Sequence, residues 1–126
     1  MDSKQPPTIE QIFAGMRKNM GAVPTAVEKL GRVAPDLVYE HMRSRAYAMP
    51  DQAPALDEET RTLIYMAAAL AGSSPACVRA MADKARVQGI APGKIMETIK
   101  IVRFAMATRI IGDAEPIFAA IEQSTT

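Results

Sequence analysis

The chain has 126 residues, 48% of them hydrophobic, and its 15 basic and 14 acidic side chains leave a net charge of +1. That size and apolar content suit one domain with its own core, and the near-cancelled charge excludes a field able to hold nucleic acid or an anionic membrane without a local cluster, none of which stands out. A single cysteine excludes an intrachain disulfide, leaving a buried structural residue, a reactive thiol or a link between chains.

Residues 1–7 form a polar, proline-containing lead that is expected to be mobile, with a single domain over residues 8–126. The lead lacks an apolar signal region, and the longest apolar run, nine residues, falls far short of the ~20 that span a bilayer. A soluble cytoplasmic protein without membrane partners is expected. Thr8 and Gln11 have capping-box spacing, and Ile9, Ile12, Phe13, Met16 and Met20 follow a helical stripe that Gly21 closes. A short helical segment after Pro24 turns Val27 and Leu30 inward and ends near Gly31. Pro35 starts a third helix whose apolar positions are Leu37, Val38, Met42, Ala46 and Met49 and whose polar side is basic around Arg43 and Arg45. Pro50 and Pro54 mark a linker, because two prolines so close block continuous helix.

Asp57 then offers an N-cap with Leu56 as a hydrophobic staple, and residues 63–71 are nearly polar-free up to Gly72. This helix is expected to be buried on most of its circumference. Ser73 and Ser74 offer the next N-cap, Pro75 fits the first helical position, and Cys77 falls in the first turn near unpaired amides that favour negative charge. Gly89 supplies a left-handed cap with Ile90 as its apolar contact, and Ala76, Ala80, Ala82 and Ala85 let the preceding helix approach closely. Pro92 begins a helix whose stripe of Ile95, Ile99, Val102, Met106 and Ile110, ended by Gly112, is expected to pack across this pair. A last helix over residues 113–123 turns Ile117, Phe118 and Ile121 inward, and residues 124–126 fray. No alternating strand occurs, so the chain reads as all-α, about six helices around a central antiparallel hairpin.

The segment 56–62, the apolar helix, the turn at Gly72 and the run Cys77, Val78, Arg79, Ala80, Met81 together resemble the core repeat of the carboxymuconolactone decarboxylase family, which includes the AhpD-like alkylhydroperoxidases. The likeness continues through residues 89–92 and 112–119. It implies an AhpD-like helical bundle, thiol-dependent peroxidase or antioxidant activity, and oligomeric assembly. AhpD-like members carry a glutamate, two cysteines and a histidine at positions that are Thr62, Ser74, Cys77 and Met81 here. Cys77 and Ser74 are therefore the candidate catalytic positions, with Thr62 and Met81 as substituted ones. Without a second cysteine no dithiol can close to a disulfide, and without the histidine neither the peroxidase nor the decarboxylase branch can be read across.

Two readings stay open: monothiol redox chemistry at Cys77 with a small-molecule or thiol partner, and a non-catalytic oligomer or ligand-binding protein that kept the fold. His41 reads as a polar helix-edge residue, Asp57, Glu58 and Glu59 as a first turn that favours the helix dipole. Lys100, Arg103 and Arg109 read as solvated or subunit-bridging charge, and the methionines as soft packing. No metal or cofactor is expected. The apolar surplus predicts a homo-oligomer, a trimer or hexamer, against a monomer in which Ile12, Phe13 and Met16 cover the exposed face.

Overall fold

A computed structural model of the chain describes residues 5–124. The expected mobility of residues 1–4 and fraying of residues 125–126 fall outside the described residues. Among those described, seven helices and no strand occur: α1 (Ile9–Met20), α2 (Thr25–Val33), α3 (Pro35–Ala48), α4 (Glu58–Ala71), α5 (Pro75–Gln88), α6 (Pro92–Asp113) and α7 (Glu115–Ser124). The fold is all-α, as the periodicities require. Two compact units divide it, one ending at Ile90 and the other beginning at Ala91.

In the first unit, α4 and α5 form the antiparallel hairpin. Their facing stripes are short: Thr62, Met66 and Ala69 on α4, and Met81 and Ala85 on α5, are the buried positions. Thr62, Met66 and Ala69 recur at helical spacing on one face, and the small side chains of Ala69 and Ala85 allow close approach. Burying each of Met66 and Met81 stabilises the hairpin by about 2 kcal/mol. The wider burial expected of α4 does not occur, since Ile64 on its other side is 52% exposed. The Leu56 staple also fails, because Leu56 is exposed and the position it would meet one turn into the helix is Arg61.

α1 packs on α5, and its buried residues are Phe13 and Met16. Its ends follow the sequence: Thr8 Oγ1 accepts from the Gln11 amide at 3.1 Å, the Gln11 side chain accepts from the Thr8 amide at 2.8 Å, and Gly21 closes the helix at φ +85. Gly31 was expected near the end of α2 but lies inside it, and its role is contact rather than termination. A Cβ there would come within 2.8 Å of Phe13 Cζ, so only glycine lets the ring sit against the helix. α2 pairs with α3, where Val38 is buried while the expected Leu37 is 50% exposed.

The two ends of the hairpin turn differ in strain. α5 ends in a Schellman closure, with the Ile90 amide donating to Ala85 O and the Gly89 amide to Arg86 O around a left-handed Gly89. α4 ends the same way, with Ser74 N donating to Ala69 O and Ser73 N to Leu70 O, but the left-handed residue is Ser73 at φ +56. Gly72, at the expected stop, has an ordinary φ, and a Cβ there would make a tight contact of 3.1 Å with Ala68 O.

In the second unit, α6 continues past Gly112 to Asp113 and meets α7 around Ala114, which is right-handed helical. Neither helix contains a buried residue, and Ile110 on the expected core stripe is 65% exposed.

Replacing Ser73 by glycine removes the steric cost of the left-handed conformation, about 1 kcal/mol. Ser73→Gly is expected to raise the midpoint of thermal unfolding by roughly 4 °C or more, measured by circular dichroism at 222 nm; an unchanged or lower midpoint would show that the turn is unstrained.

Candidate functional site

Cys77 is the third residue of α5, after Pro75 at the first helical position, and is half-buried. Its nearest polar partner comes from α4: Tyr65 Oη lies 3.7 Å from Cys77 Sγ. Either group can donate when the sulfur is a thiol, and the phenol donates when it is a thiolate. The hydrogen bond to Cys77, followed by burial, raises the Tyr65 phenol above its ordinary value. Tyr65 was read in sequence only as part of an apolar run. The available signal was that it carries the only side-chain hydroxyl between Leu63 and Ala71, on the helix that pairs with the cysteine helix.

The substituted family positions are held elsewhere. Thr62 is only 1% exposed, and its Oγ1 lies 2.8 Å from Gln88 Oε1 and 3.0 Å from Glu58 O. One hydroxyl has one proton, so it donates to one of these acceptors at a time. Gln88 stands about 16 Å further along α5 than Cys77 by helical rise, so the Thr62 hydroxyl closes the far end of the hairpin rather than serving the thiol. Met81 is buried in the hairpin core. Ser74 occupies the N-cap position of α5 but makes no side-chain cap hydrogen bond, contrary to expectation. It lines an open depression of about 480 Å³ together with Ala69, Leu70, Ser73, Pro75, Val78 and Arg79, and Cys77 does not.

The remaining charged candidates resolve simply. Arg43 pairs with Glu40 one turn earlier on exposed α3, and the hydrogen bond from the guanidinium lowers the Glu40 carboxyl below its ordinary value. Arg109 pairs with Asp113 at 3.6 Å on α6, both well exposed. Asp57 Oδ1 accepts from the Thr60 amide at 2.7 Å and caps α4. His41 is exposed, and no three His, Cys, Asp or Glu side chains gather among the described residues.

A hairpin with a first-turn cysteine and a short Gly-Ser-Ser turn fits the resemblance noted in the sequence, and a model of the carboxymuconolactone decarboxylase family matches residues 37–119, about two thirds of the chain. The chain belongs to the carboxymuconolactone decarboxylase family. No curated protein matches it. The matched residues of this carboxymuconolactone decarboxylase family member include the whole α4–α5 hairpin, with the Thr62 hydroxyl and Met81 in its interior.

The raised Tyr65 value means that the folded protein holds the phenol proton more tightly than the unfolded chain does. The stabilisation is complete below the ordinary value near ~10 and is lost as pH rises through the raised folded value. Phenolate absorbance of the folded protein is expected to show a late-titrating component that Tyr65→Phe lacks; identical titration curves, after allowance for one fewer tyrosine, would remove the Tyr65–Cys77 hydrogen bond.

Proposed function

We propose that this family member works through one thiol, Cys77, which reduces a small electrophile such as an organic hydroperoxide and is regenerated by an external thiol. The observation that carries this reading is the Tyr65 hydroxyl 3.7 Å from the sulfur, at the start of a helix whose first amides have no intrahelical partners. A hydroxyl donated to sulfur stabilises the anion that attacks, and the first turn of a helix favours negative charge. Sulfur attacks the outer peroxide oxygen, the O–O bond breaks, and the thiol proton ends on the departing alcohol. Cys77 is oxidised by two electrons to sulfenic acid while the peroxide is reduced. An external thiol then displaces water to form a mixed disulfide, and a second external thiol attacks that disulfide, freeing Cys77 as the thiol and leaving an external disulfide. A cytoplasmic setting, where small thiols are abundant, suits this cycle.

The second reading, a non-catalytic protein that kept the fold, draws support from the burial of Thr62 and Met81 in structural roles. Alkylation with iodoacetamide separates the two. Under the thiol reading the folded protein reacts readily at neutral pH, Tyr65→Phe slows the reaction about tenfold or more through loss of a hydrogen bond to charge, and a dimedone adduct forms at Cys77 after peroxide. A thiol that reacts only after denaturation favours the non-catalytic reading, and peroxide turnover retained in Cys77→Ser would place the chemistry away from Cys77.

Self-association belongs to the same proposal. α6 and α7 contain no buried residue, and Ile101, Phe104, Ile110, Ile111, Ile117 and Ile121 are each more than half exposed. Contiguous apolar surface of this kind is uncommon on monomers, and a second copy of the same face is its simplest cover. A trimer or hexamer is expected by light scattering coupled to size exclusion; one mass near 13.6 kDa across a dilution series would refute it.

A further inference from the structure

α1 and α2 meet through a close contact. A Cβ at Gly31 would lie 2.8 Å from Phe13 Cζ and 3.5 Å from Ile9 Cγ2, so the second half of α2 lies against the first half of α1. Beside that contact the two helices leave a cleft of about 340 Å³, within the size range of small-ligand sites. Buried Phe13 and half-buried Ile9 and Val23 supply its apolar surface, and Glu10, Arg17, Glu28 and Arg32 its charge. Cys77 is not among the lining residues.

The charges have a definite order. Glu10, Phe13 and Arg17 recur at three- and four-residue spacing, so an acid, an aromatic ring and a guanidinium follow one another along one face of α1. Helical rise sets the two charged positions ~10 Å apart along the axis. On α2 the charges are engaged with each other, because Arg32 Nη2 donates to Glu28 Oε1 at 2.7 Å. Among the described residues, the Glu10 and Arg17 side chains have no such partner. Two acids and two cations cancel, so the cleft as a whole favours neither sign and suits a ligand that carries both. An aromatic ring between the two unpaired charges suits a ligand whose own charges are separated by an apolar segment.

We propose that the cleft between α1 and α2 binds a small zwitterion with an apolar middle, an ω-amino carboxylate, its ammonium at Glu10 and its carboxylate at Arg17. The Arg17 guanidinium matches a carboxylate with two parallel N–H groups, the Glu10 carboxylate accepts from the ammonium, and the methylene chain covers Phe13. The site does not depend on the thiol chemistry of Cys77.

Isothermal titration with 6-aminohexanoate, at ionic strength matched by sodium chloride, tests this directly. A saturable isotherm is expected. Hexanoate and hexylamine, each lacking one charge, should bind about fivefold more weakly, the upper end of what an exposed charge pair contributes. Glu10→Gln and Arg17→Gln, both at exposed positions of α1, should each weaken the zwitterion by about the same factor. The exchanged pair, Glu10→Arg with Arg17→Glu, should restore binding with the ligand reversed, and Cys77→Ser should leave it unchanged. Amide shifts on NMR titration should gather in α1 and α2. Absence of saturable binding, equal binding of the three probes, binding insensitive to the Glu10 and Arg17 changes, or shifts centred elsewhere in the chain overturns the proposal.

Discussion

The antiparallel clasp of α4 and α5 is the constraint on which the first unit rests. Its buried stripe is narrow, built of two methionines, two alanines and a threonine, and apolar contact alone would leave the register of such smooth helices weakly defined. The Thr62–Gln88 hydrogen bond is directional and partly buried, so it selects one register among those that the alanines would tolerate. The rest of the unit inherits that choice: α1 lies on α5, and Tyr65 reaches Cys77.

The interior of the hairpin is closed by packing and one hydroxyl rather than by charge. An ionisable side chain at Thr62 would sit in a site nearly closed to water, where its charge needs a partner. Threonine needs only one hydrogen bond, and Gln88 or the Glu58 carbonyl accepts it. Met81 packs in the same interior, and the polar neighbour of the thiol is the Tyr65 phenol.

Helix boundaries with chemical punctuation were legible from sequence. Thr8 and Gln11, Asp57, Gly21, Pro35, Pro75 and Gly89 all act as their side chains or backbone freedom dictate. Faces were legible only in part, because helical spacing says which residues align and not which neighbour covers them. The unbroken apolar run of α4 therefore implied all-round burial, and of Leu37 and Val38, both read as apolar positions of α3, only Val38 is buried. Glycine was misleading twice: Gly31 lies inside α2 against Phe13, and the left-handed residue of the turn after α4 is Ser73 rather than Gly72. Cys77 was singled out through its motif. The approach of Tyr65 to Cys77 depends on a contact between helices, which one-dimensional spacing does not encode.

The turn between α4 and α5 also has a dynamic meaning. It combines a serine in a left-handed backbone, an N-cap without a side-chain acceptor, and a proline that brings no amide of its own. This end of the hairpin is closed by the Ser73 and Ser74 backbone bonds around a strained serine, whereas the other end carries a left-handed glycine and the Thr62–Gln88 bond. Thermal opening should therefore begin at the turn and travel along the first turn of α5 before reaching Met81. Because Cys77 lies within that first opening segment, its exposure to large reagents is set by a local fluctuation that leaves the rest of the unit folded.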